Sequence, residues 1–298
     1  MPRKTSTGVR KPLSPEAKAK IAEAVRKAMS SSKPNPVPIP VLPGMPTPPK
    51  KIQPIALGQV KLDSQVLKPL TTGTLLDGLF TLQGGLPKAS NFLVVGDPGV
   101  GKTTVCLDIL AHLTQRGYRC LFLSGEMNRI DLFPYVQRFP HFGRIQTIFL
   151  GEHLDQPLQT LLTNILAEGW DVVLVDSFFE VKEIIREQGK TSTPSAEKWL
   201  LEFFNQHNQA ANDQGKYTTF LLIQQVTKGG VFVGSNRLKH ATTGMLELRF
   251  DKDNPRATYL EFSKNRRGPT QVPLYFSLNV PDNPLYSPEE LIQVAQEV

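Results

Sequence analysis

Nine consecutive residues, Gly96-Asp97-Pro98-Gly99-Val100-Gly101-Lys102-Thr103-Thr104, fit the pattern G-x-x-x-x-G-K-[ST]. Gly96, Gly99 and Gly101 let the backbone wrap closely around a phosphate. The apolar run Phe92–Val95 leads in and the helix-prone stretch Val105–Leu113 leads out. The loop therefore opens a helix, where exposed amides and the helix dipole favour an anion. Lys102 is expected to contact the β- and γ-phosphates, and Thr103 to ligate Mg²⁺. The sequence has no Asn-Lys-x-Asp pattern of the kind that reads guanine, so ATP is the expected nucleotide.

A second acid belongs with this loop. Val172-Val173-Leu174-Val175 is an apolar run suited to a strand buried on both faces, and Asp176 ends it. That places Asp176 at the carboxyl edge of a sheet, where ligands bind in doubly wound folds, and gives it the task of holding the Mg²⁺ water shell. The next residue is Ser177, not an acid, so the carboxylate that orients the attacking water must come from elsewhere. Glu126, just after the apolar run Cys120–Ser124, is the first candidate, and Glu180 is its rival.

These groups need a scaffold. Short apolar runs alternate with amphipathic stretches from residue 91 to residue 224, which predicts an α/β fold with a mostly parallel central sheet flanked by helices. Strands are expected at Asn91–Val95, Arg119–Ser124, Ile145–Leu150, Asp171–Asp176 and Thr218–Gln224. Helices are expected at Lys102–Arg116, Ile130–Arg138, Gln156–Glu168 and Ser195–Gln214. Beyond residue 243 the pattern changes to strands joined by turns, at Met245–Phe250, Ala257–Ser263 and Leu274–Leu278. This is a C-terminal antiparallel extension, followed by a terminal helix over Pro288–Val298.

Charge is distributed unevenly over the 298 residues. Residues 1–51 hold eleven Lys and Arg against two acids, a net +9, while the rest of the chain is −2. Such an arm suits nucleic acid or another polyanion. Inside it, Ser14-Pro15-Glu16 reads as a helix start. Nine prolines between Pro34 and Pro54 then predict an extended linker. The expected organisation is a basic arm with a short helix over 1–33, a linker over 34–54 and a catalytic domain over 55–298. The two cysteines, Cys106 and Cys120, are too few for a four-cysteine zinc element and read as reduced core thiols. Neither an apolar leader nor a membrane-length apolar run is seen, so a cytoplasmic location is expected.

Several of these motifs carry a family resemblance, over roughly residues 70–280. GDPGVGKTT, LSGEM, LVDS, LLIQQVTKGG and KNRRGPT resemble a RecA-like P-loop NTPase core, above all that of the RadA/Sms DNA-repair ATPases, with DnaB-type helicase domains next. The string from Arg10 to Ser30 also resembles a short nuclease-associated DNA-binding motif. The RecA-type resemblance implies a DNA-stimulated ATPase that acts on single-stranded DNA as a hexameric ring or filament. It makes Glu126 the catalytic glutamate and Gln225 a γ-phosphate sensor. It makes Lys264 and Arg266 fingers that reach a neighbour's ATP, and their i, i+2 spacing on a strand puts both on one side. DNA is expected at the loop between Val226 and Met245, through Lys228, Arg237 and Lys239, with His240 beside them. A KaiC-like ATPase acting on proteins is the rival reading. The four-cysteine element and Lon-like domain usual in RadA proteins have no counterpart in this sequence, so a bare motor core is expected.

Overall fold

The computed structural model describes residues 53–224, 236–254, 257–279 and 285–286, together with Glu16. The rest of the arm, most of the proline-rich stretch, residues 225–235 and the expected terminal helix lie outside the described residues. The chain divides into two compact units, Met1–Val60 and Lys61–Val298. In the first unit, residues 53–60 are exposed and make a 3-10 turn at Leu57–Gln59.

The second unit is built on β1 (Asn91–Gly96), β2 (Cys120–Ser124), β3 (Gln146–Phe149), β4 (Val172–Asp176) and β5 (Thr219–Ile223), then β6 (Gly244–Phe250), β7 (Thr258–Asn265), β8 (Leu274–Ser277) and β9 (Leu285–Tyr286). Its main helices are α1 (Lys102–Gln115), α2 (Arg129–Arg138), α3 (Leu158–Ala167), α4 (Phe178–Gln188), α5 (Thr193–Asn208) and α6 (Asn236–Ala241). The described strands form one sheet in the order β3-β2-β4-β5-β1-β6-β7-β8-β9. The pairs from β3 to β6 are parallel, and those from β6 to β9 are antiparallel. The mostly parallel sheet and its antiparallel extension are as the sequence pattern predicts.

The central strands are buried on both faces, and successive residues feed two separate cores. Phe92 and Val94 of β1, Phe122 of β2 and Leu174 of β4 pack with Val105, Ile109 and Leu113 of α1. Leu93 and Val95, Leu123 and Val175 face the other way, against Leu162 of α3, Val181 of α4 and Phe204 of α5. This is why the strands read as unbroken apolar runs rather than as alternating ones. Cys106 and Cys120 are free and buried within the first core. Burial pushes the Cys120 thiol up to about 12 and the Cys106 thiol further still, so both stay protonated at neutral pH.

Two differences from expectation have simple local causes. Helix α4 was not expected, although Ser177 caps it by accepting from the Glu180 amide, and Phe178, Val181 and Ile185 form its buried stripe. Helix α5 ends at Asn208 rather than running on to residue 214. Ala210 there takes a positive φ of 59°, and Asn212 folds the following turn by accepting from the amides of Gln214 and Lys216.

Candidate active site

The phosphate loop leaves β1 at Gly96 and enters α1 at Lys102. Gly101, the residue before the helix, has φ 100°, a left-handed backbone that favours glycine, and no side chain caps the first amides of α1. Those amides are left for an anion. A Cβ at Gly96 would collide with the carbonyl oxygen of Leu248 on the adjacent strand.

The ends of β1, β2 and β4 converge on a cleft of about 670 Å³, lined by Gly96, Gly99, Lys102, Thr103, Glu126 and Asp176 among others. That size is within the range of small-molecule pockets. The Lys102 ammonium donates to the carbonyl oxygens of Gly96 at 2.8 Å and Asp97 at 3.0 Å. Burial lowers its proton affinity, and the charges of Asp176, Glu126 and Asp97 work against that effect. The Thr103 hydroxyl donates to Asp176 Oδ2 at 2.6 Å. Burial raises Asp176 to about 6, with the Thr103 hydrogen bond pulling the other way. Thr103 and Asp176 thus offer two hard oxygen donors side by side, a set that fits Mg²⁺.

Glu126 is placed by the sheet itself. Ser124 of β2 lies in register with Asp176 of β4. The amides of Gly125 and Glu126 both donate to the Asp176 carbonyl oxygen, at 2.7 and 3.2 Å. The strand ends therefore hold the two acids beside one cleft, which Glu126 lines. Glu180, in the first turn of α4, is not among the lining residues, though it is close enough for Glu126 to raise its proton affinity after burial has done so.

Lys264 and Arg266 do not line their own chain's cleft. The Lys264 ammonium donates to the carbonyl oxygens of Lys239 and Thr242, both at 2.5 Å, and Arg266 donates to that of His240 at 2.8 Å. Both cations hold the C-terminal end of α6, where carbonyl groups and the helix dipole attract positive charge. Arg237 is exposed and Lys239 partly buried on α6. Gln225 and Lys228 lie outside the described residues.

The cleft also has residues that sequence reasoning missed. Tyr135 and Arg138 of α2 line it, as does Leu278 beyond β8. Burial and the nearby Asp176 raise the proton affinity of the Tyr135 phenol. Arg138 donates to the Leu278 carbonyl oxygen and so ties α2 to the extension. Their one-turn spacing on α2 is visible in the sequence, but the packing that turns this face toward the loop is not.

Strand order, two-sided burial and a complete phosphate loop at the end of β1 make up an α/β fold of the RecA-like type. Over residues 70–144 the chain matches the KaiC ATPase family. It is 29% identical over 200 residues to the DNA repair protein RadA of Chlamydia pneumoniae, which covers 66% of this chain and 41% of that protein. The RadA of Mycobacterium tuberculosis is 28% identical over 210 residues, 70% of this chain and again 41% of the relative. The chain thus spans about two fifths of the length of these relatives. Among solved structures, a KaiC-like protein of Pyrococcus horikoshii superposes with a TM-score of 0.57 at 18% identity, covering 74% of this chain and 99% of that one. The flagellar accessory protein FlaH of Methanocaldococcus jannaschii gives 0.52 at 13% identity, covering 70% and 93%. No described helix is long and apolar enough to cross a membrane.

Proposed function

We propose that this chain hydrolyses ATP and couples the turnover to single-stranded DNA in recombination, repair or replication, as strand annealing, branch migration or unwinding. The observation that carries the hydrolase reading is the meeting of Lys102, Thr103, Asp176 and Glu126 in one cleft. When bound there, Mg²⁺ would neutralise phosphate charge next to Thr103 and Asp176. Lys102 would bind the terminal phosphates, and Glu126 would orient the attacking water and draw its proton. The DNA reading is supported by the likeness to proteins named for DNA repair and by the +9 charge of residues 1–51. The test is the ATPase rate with and without single-stranded DNA. A several-fold stimulation that weakens as salt rises is expected, because phosphate contacts release counterions. Turnover indifferent to DNA at low salt would reject the coupling. It would favour the second reading, a KaiC-like ATPase acting on protein partners; the match to the KaiC ATPase family supports the KaiC-like part of that reading.

The reading extends to the assembly. Lys264 and Arg266 would serve a neighbour's nucleotide in a ring or filament, since they do not line the cleft of their own chain. A Lys264→Ala/Arg266→Ala chain is then expected to hydrolyse little alone and to recover activity when mixed with a Glu126→Gln chain. The first brings an intact cleft and the second brings intact fingers. Because both cations also brace α6, a thermal melt of each variant accompanies the assay. Mixtures of folded, co-assembled chains that stay inactive would reject fingers acting between subunits.

A further inference from the structure

The first core contains a charged group that the phosphate cleft does not use. Asp108 is in the middle of α1, with its side chain fully buried. His112 is one turn later on the same helix. His141 comes from the 3-10 segment Pro140–Arg144 that follows α2. His141 Nε2 is 2.8 Å from Asp108 Oδ1, and His112 Nε2 is 3.5 Å from the same oxygen. One ligand atom from each of the three residues falls within 4.8 Å of the others.

We infer that Asp108, His112 and His141 form a binding site for a transition-metal ion of the Zn²⁺ class, separate from the phosphate cleft. None of the three lines that cleft. Two imidazoles and one carboxylate are a recurrent zinc donor set, and their bond lengths of about 2.0–2.2 Å put neighbouring ligand atoms roughly 3.3–3.5 Å apart in a tetrahedron. The two contacts to Asp108 Oδ1, 2.8 and 3.5 Å, bracket that separation, and all three ligand atoms lie within 4.8 Å of one another. The i, i+4 placement of Asp108 and His112 puts both on one face of a rigid helix.

The surroundings are built in the same sense. The buried Tyr286 hydroxyl of β9 donates to Asp108 Oδ2 at 2.8 Å, which fixes the carboxylate and leaves Oδ1 toward the imidazoles. The His141 ring packs edge-on to Phe142, with centroids 4.6 Å apart, and this limits its rotation. The histidine side chains are 20% and 13% exposed, so an ion has a route from solvent. Nitrogen donors select Zn²⁺, Co²⁺ or Ni²⁺ over Mg²⁺, which prefers oxygen. A bound ion would brace α1, the Pro140–Arg144 segment and, through Tyr286, the strand β9. The helix that starts at the phosphate loop would thereby be anchored at its far end.

The experiment uses the full chain, stripped with a chelator and free of nucleotide. Co²⁺ is added as the probe, and visible d–d absorption is followed. One equivalent is expected to saturate the signal, Zn²⁺ to displace it, and a hundredfold excess of Mg²⁺ to leave it intact. The melting temperature should rise by several degrees with Zn²⁺. His141→Ala and His112→Ala should each weaken Co²⁺ binding at least tenfold, whereas His240→Ala should not. If the wild-type chain gives no stoichiometric signal, the three side chains form only a hydrogen-bond network and the inference fails. It fails equally if the signal survives both alanine variants, because the ion then sits elsewhere.

Discussion

Replacing Lys102 with alanine is expected to lower ATP turnover by about 10²–10³-fold or more, the size of effect seen when one preorganised electrostatic donor is lost. The ammonium is anchored at the junction of loop and helix, beside Asp176 and Glu126, which sustain its charge against burial. Alanine removes that charge and retains the helix, since alanine is the best helix former. The fold should therefore survive, and a thermal melt within a few degrees of the parent would establish it. Steady-state turnover under saturating MgATP gives the result. Near-normal hydrolysis by a folded variant would remove Lys102 from the chemistry and with it the hydrolase reading of the loop.

Glu126→Gln should lower turnover by roughly 10²–10⁴-fold, the usual contribution of a general base, while ATP binding is retained. The substitution keeps shape and removes the charge. The backbone bond from the Glu126 amide to Asp176 is unaffected, so the loop stays in place. Binding measured by a fluorescent nucleotide, alongside a single-turnover hydrolysis assay, separates the two effects. Glu180→Gln is the companion variant, expected to stay within a few fold of the parent because Glu180 does not line the cleft. If Glu180→Gln were inactive and Glu126→Gln active, the roles of the two acids would be reversed.

What could be read in the sequence was what is local. The phosphate loop is contiguous, and each strand of the parallel core is a short apolar run whose two-sided burial leaves a clear mark. Asp176 was legible because a charged residue directly after Val172–Val175 has few places to go except a strand end. Tyr135 and Arg138 were not legible, because their place depends on the angle at which α2 meets the loop, which no nearby residue records. The bonds from Lys264 and Arg266 to the carbonyls of α6 bridge more than twenty residues and involve backbone acceptors that leave no trace in side-chain pattern. The Asp108 and His112 pair sits on one helix face, but its third partner, His141, arrives only through packing. Helix α4 is a different case: its Ser177 cap and its apolar stripe of Phe178, Val181 and Ile185 are both local and present in the sequence.

The hydrogen bonds of Lys102 bear on which anions the loop admits. Its ammonium already spends two hydrogen bonds on Gly96 and Asp97, the first residues of the turn that must wrap the incoming group. A ligand therefore competes with the loop's own dipoles for the cation, and net affinity is the difference between the two. A weak monovalent anion offers little beyond what the carbonyls supply and gains little from the exchange. A polyphosphate offers several charged oxygens at once and exceeds that threshold. On that balance the two carbonyl oxygens would help to set which anions the loop accepts, alongside the width of the cleft.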